Sequence, residues 1–195
     1  ARDAASGTGG FSLVAESSLP LRHDLNTSDG RFELGLSGAS ERLLADSDVM
    51  AFGVVPGEDA SCLNLYSPAI PTLVGVTKGF TDRRAFTFSS AAGPTDDAWD
   101  LLHTDLGAGV VPMVADANSA QWILHVGLGD DLLTEDESGD ELRLRLVGML
   151  STSVFQSVAL ISDDNLRAHF PSRVGSSFFL LDPAAGEEDT LSAAL

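Results

Sequence analysis

A chain of 195 residues, 44% hydrophobic and 21% charged, is long enough for one sizeable core and is unlike a disordered sequence in composition. Its 29 acids against 11 bases leave a net charge of −18, with Lys78 the only lysine, so nucleic-acid phosphates and anionic lipid headgroups would both repel it. The single cysteine, Cys62, excludes an intrachain disulfide and CxxC metal or redox motifs, and no run approaches the ~20 apolar residues that span a bilayer.

Residues 1–10 are small and rich in Gly and Ser, the composition of a flexible lead-in. Phe11 to Glu16 alternates apolar and polar residues and predicts a first strand, ended at Leu19-Pro20-Leu21. Turn and cap chemistry from Asn26 to Gly30 precedes a short helix over Arg31 to Leu36. Val49 to Val55 predicts a buried strand, after which Pro56-Gly57 opens a polar loop running to Pro68. That loop concentrates Asp59, Ser61, Cys62 and Asn64, a candidate contact site. Such Asx and Ser groups most often satisfy their own loop's amides, which is the competing explanation.

Thr72 to Val76 and Ala85 to Phe88 predict two more short strands. Thr95-Asp96-Asp97 caps a helix carrying Trp99, Leu101 and Leu102, with acids placed to suit its dipole. Val110 to Ala115 predicts a strand, and Pro112 argues against a central position for it. Asp116 or Asn118 then caps an amphipathic helix, Ser119 to His125, burying Ala120, Ile123 and Leu124. Asp131 to Thr134 and Glu141 to Leu150 form a hairpin around an acidic, solvated tip. Leu142, Leu144 and Leu146 share one face of its second strand, and Arg143 and Arg145 the other. Val158 to Ile161 predicts a strand, Ser162-Asp163-Asp164 caps a helix stopped by Pro171, and Ser177 to Leu181 is the last strand. Residues 184–195 read as the start of a truncated helix, leaving 11–183 as the main domain, in one lobe or two.

No residue set here meets the requirements of a catalytic, cofactor or metal site. His23, His103, His125 and His169 lie far apart in sequence and lack the spacings of a zinc site. Gly35-Leu-Ser-Gly-Ala39 has the wrong spacing for a nucleophile elbow, and Cys62 lacks a cysteine-hydrolase signature. Gly127-Leu-Gly-Asp130 is without the third glycine and acidic partner of a dinucleotide fingerprint, and no phosphate-binding GxxxxGK[ST] occurs. A calcium loop centred on Gly139 would put Thr134 and Arg145 where carboxylates are required.

Several stretches, in order, resemble the extracytoplasmic domain of MacB/FtsX-like ABC transporter permeases. They are Thr8 to Pro20 with Asp24 to Thr27, then Gly57 to Leu65, then Val114 to Leu124 followed by Leu128-Gly-Asp130. Arg145 to Met149 and Ala159 to Ser162 are similar to the strands that follow. The resemblance implies an α+β fold with a mixed, largely antiparallel sheet and short helices, which agrees with the hairpin pattern. It also implies a non-catalytic module without a cofactor, on the extracytoplasmic face of the bacterial inner membrane. Its implied partner is a cytoplasmic ABC ATPase, reached through membrane helices, with a second permease copy, an envelope protein or a lipoprotein as further partners, and no nucleic acid. The alternatives are a secreted hydrolase, using Cys62 or a carboxylate pair, and a secreted scaffold or adhesion module.

Overall fold

Nine short apolar segments become strands of one mixed sheet in the computed structural model, which describes residues 3–57, 71–107 and 109–194. The strands are β1 (Leu13–Leu21), β2 (Asp48–Val55), β3 (Thr72–Val76), β4 (Phe88–Ala91), β5 (Val110–Asp116), β6 (Asp131–Glu135), β7 (Glu141–Leu150), β8 (Val158–Ser162) and β9 (Ser176–Asp182). Their order is β1-β9-β2-β3-β8-β5-β7-β4, with β6 also on β7. Only β3/β8 and β5/β7 are parallel; the other pairings are antiparallel. The fold is α+β, and the described residues hold seven short helices. These are α1 (Ser28–Glu33), α2 (Gly38–Ala45), α3 (Lys78–Thr81), α4 (Ala98–Leu101), α5 (Ala117–Ser119), α6 (Asp163–His169) and α7 (Glu188–Ala194). None is long and apolar enough to cross a membrane.

Strand β2 changes partner along its length. Asp48 to Phe52 pair with β9, and Gly53 to Val55 pair with β3 on the opposite edge. Three clusters of buried residues follow from this arrangement. An aromatic one contains Phe52, Phe80, Phe86, Trp99 and Phe155, packed mostly edge to face, with Phe52 and Phe80 ring centres 5.1 Å apart. The Trp99 indole N–H donates to the Ala85 carbonyl at 2.8 Å, so the ring is buried without an orphaned donor. An aliphatic cluster holds Leu142, Leu144 and Leu146 with Met113, Ile161 and Leu166. The third joins Val49, Phe179 and Leu181 to Leu43, Leu44 and Leu191.

The β6–β7 hairpin forms as its alternation predicts, with Leu142, Leu144 and Leu146 buried and Arg143 exposed. Opposite β5, Val147 is an extra residue between Leu146 and Gly148. This bulge switches the side-chain parity, so Leu150 enters the aromatic cluster instead of following Leu146.

Local sequence signals fail at specific places. β1 runs on through Pro20, because an edge strand tolerates a missing donor on its free side; its ladder with β9 is irregular between Glu16 and Leu21. Pro112 lies in a strand between β8 and β7, against expectation. β8 pairs only with Val114 and Ala115, so the part of β5 around the proline has one open flank. No strand starts at Ala85, since Arg84 and Phe86 have positive φ (51° and 68°), incompatible with a ladder. The Phe86 amide instead donates to the Ala4 carbonyl at 2.7 Å. That bond, with Val154 N–H to Gly7 O at 2.8 Å, ties described residues 3–10 to the body where the composition predicts a loose lead-in. The helix expected at Ser119 to His125 begins at α5 and continues as one π turn, Ala120–Leu124, closed by left-handed His125. Ala120 is buried but Ile123 is exposed, because the wider π turn rotates it away from the aliphatic cluster.

Candidate functional site

The loop residues Asp59, Ser61, Cys62 and Asn64 lie outside the described residues. The candidate site the structure builds is elsewhere, beside the stretch of β2 where the sheet divides. A cleft of about 670 Å³ opens there between the turn after β1, the start of α3, and the segment from α6 to β9. Clefts of several hundred Å³ with an apolar lining and a few polar groups are where small ligands commonly bind.

Its walls are fixed by identifiable contacts. The Asn26 side chain acts as a surrogate strand for β2, donating to Val49 O at 2.9 Å and accepting from Val49 N–H at 3.3 Å. Thr27 caps α1 by accepting from the Gly30 amide at 3.0 Å. On the other side Ser162 caps α6 by accepting from the Asn165 amide at 3.2 Å. Leu166 of α6 lies directly over two glycines of the sheet. A Cβ on Gly53 or Gly75 would stand only 3.0 or 2.9 Å from its Cδ2, so glycine is what lets α6 approach this closely. Gly175, at φ 104°, brings the loop after α6 against the end of β1, where a Cβ would meet Leu21 O at 2.8 Å. Phe52, Met50, Leu166 and Phe170 supply an apolar lining.

The charge at this cleft contrasts with the rest of the molecule. Arg2 lies outside the described residues, and of the other bases Arg31, Lys78, Arg83, Arg84, Arg143, Arg145 and Arg167 each hold a carboxylate. Arg42 donates to the Gly38 carbonyl of its own helix at 3.2 Å. Among the described basic side chains, that leaves Arg22 and Arg173 without a hydrogen bond or ion pair, and both line this cleft, as does His23. Arg167 also lines it, joined to Asp163 at 2.6 Å, and Asp24 accepts from the Asn26 amide at 2.9 Å. Neither free arginine stands out in the sequence. One follows an edge strand and the other a proline-stopped helix, and only the ion-pair pattern in three dimensions singles them out.

The histidines do not converge, and no group of three or more potential metal ligands exists among the described residues. His103 shares a 2.9 Å hydrogen bond with Thr81. Burial first, and then the Lys78 charge, hold its imidazole below the ordinary value, against the opposing pull of Asp164, Asp82 and Asp100. The acidic hairpin tip is docked, where a solvated turn was expected. Asp136 accepts from the Ser138 and Asp140 amides at 2.8 and 3.1 Å and faces His169 at 3.6 Å. Glu137 accepts from the Ser172 amide at 2.9 Å. These donors hold both carboxyls below their usual range: for Asp136 the Asp140 amide dominates, and for Glu137 the Ser172 bonds. A second, apolar groove of about 520 Å³ lies beside β1, lined by Leu19, Leu21, Leu25, Leu34, Leu36 and Leu44.

No protein-family model matches the sequence, and no curated protein matches it. Among solved structures, the chain is similar to the extracellular domain of the noncanonic ABC-type transporter YknZ from Gram-positive bacteria. The two are 13% identical, the alignment covers 75% of this chain and 67% of that one, and the TM-score is 0.37.

Proposed function

We propose that the chain is the extracytoplasmic domain of an ABC transporter permease of the MacB/FtsX type. In this reading it is non-catalytic and relays a displacement, generated by a cytoplasmic ATPase, to export, lipoprotein release or envelope signalling. The observation that carries the reading is the ordered resemblance along the chain, together with how its central segment is built. Val114 to Asp130 forms the end of β5, α5 with its π turn, and a Gly129-Asp130 turn into β6, a strand–helix–Gly-Asp step. Trp122 and Ile123 of that step are exposed (68% and 52%), available to a contacting surface instead of the core. The cleft offers guanidinium donors and an apolar lining, equipment for binding.

The test is sidedness in the native membrane. A protease site inserted at the exposed turn Ser138-Gly139 of the full-length protein should be cut when protease is added to spheroplasts and protected in inverted vesicles. Cleavage only in inverted vesicles would overturn the proposal.

A further inference from the structure

We propose that the cleft beside β2 binds an organic anion with an apolar body, its acidic head held between Arg22 and Arg173. This is independent of the permease assignment and stands on the cleft alone. The chain carries 29 acids, and nearly every described base has been drawn to one of them or to a helix carbonyl. Two guanidinium groups left unpaired at one cleft are therefore a local excess of donors in an otherwise negative field. Glu137 is near enough to feel the charge of Arg173 and offsets part of it, with one carboxylate oxygen on the Ser172 amide at 2.9 Å. Among the lining side chains Asp163 is paired with Arg167 and Asp24 is the other carboxylate, so Arg22, Arg167 and Arg173 still outnumber the acids.

Guanidinium forks match the paired oxygens of a carboxylate or phosphate, and they are weakly hydrated enough to work beside apolar surface. The ligand body is defined by the lining. Met50, Phe52, Phe170 and Val174 line the cleft, Phe52 and Phe170 being buried and Val174 52% exposed. A free inorganic anion would leave that surface wet, and an uncharged apolar molecule would leave the arginines unused. The contacts at Asn26 and Gly175 hold both walls in place before a ligand arrives, which limits the ordering cost of binding.

Calorimetric titration of the 195-residue chain with four probes below their micellar concentrations tests this. The probes are decanoate, decyl phosphate, decyltrimethylammonium and inorganic phosphate. Decanoate or decyl phosphate should bind, with their relative strength telling carboxylate from phosphate, and the cationic and inorganic probes should bind at least about tenfold more weakly. The double substitution Arg22→Gln/Arg173→Gln should weaken the anion by about tenfold or more, with an unchanged melting temperature because both side chains are exposed. Val174→Glu, which adds a carboxylate to the lining, should abolish it. Absence of binding by either decyl anion, equal affinity for the cationic probe, or undiminished binding in the double variant would each overturn the proposal.

Discussion

Leu144→Ala removes three carbons from a position that is completely buried in the aliphatic cluster. Leu144 stands opposite Leu132 on β6 and Val111 on β5, so it is flanked by strands on both sides and by Leu142 and Leu146 along its own. Neighbours held in two ladders cannot collapse far into the vacated space, so the loss of transfer energy adds to an open cavity. This places the cost in the upper part of the usual range, about 3–5 kcal/mol. At roughly 2–4 °C per kcal/mol for a domain of this size, the melting temperature should fall by roughly 6–20 °C. Arg143→Ala on the same strand removes a half-exposed side chain whose ion pair is with Glu141 at 3.3 Å, itself exposed. That change should cost within about 1 kcal/mol. Urea unfolding of the two variants at fixed pH measures both. Equal losses, or a larger loss for Arg143→Ala, would refute the facing assigned to β7.

Asp116 is buried and accepts from the Asn118 amide and the Ser153 amide, both at 3.0 Å, so Asp116→Ala strands two donors and should cost about 1–3 kcal/mol in the same assay. Asp100, Asp131, Asp136 and Glu137 all have depressed carboxyl pKa values. For Asp100 the bond from Arg84 comes first, and for Asp131 the bond from Arg145. A depressed folded-state pKa contributes stability that is present above the ordinary values of 3.8 and 4.5 and is lost as pH falls through the lower folded ones. Acid titration of stability should therefore decline below pH of about 4, and Asp136→Asn should make that decline shallower. Cys62→Ser should leave stability and partner binding nearly unchanged; a thiol-dependent turnover that it abolished would overturn the non-catalytic proposal.

Legibility in the sequence followed the range of the interactions responsible. The period-two pattern of β7 is local, and Leu142, Leu144 and Leu146 lie where it places them. The same holds for β3, predicted residue for residue, and for α6, with its Ser162 cap and Pro171 stop. α3 was invisible because it is one turn long and Thr77 reads as the tail of a strand. α2 also left no reading, although Arg31 ties it to α1 through Glu41. Phe86 has strand-like neighbours, but the aromatic cluster and the Ala4 carbonyl draw it into the left-handed region. The central position of Pro112 depends on how far β8 extends, which no local pattern encodes. The cleft escaped for the same reason. Its two free arginines come from distant parts of the chain and line one cleft because β9 inserts between β1 and β2.

The proposed relay of an ATP-driven displacement requires this domain to move as one unit. It is tested most directly by spin-label distances in the full-length protein reconstituted with the ATPase proposed to drive it. One pair lies within the domain, at exposed Ser138 and Ser18, and a second runs from Ser138 to labelled lipid headgroups. ATP should change the second distance while the first stays fixed. A domain-to-membrane distance that does not respond to ATP would contradict it.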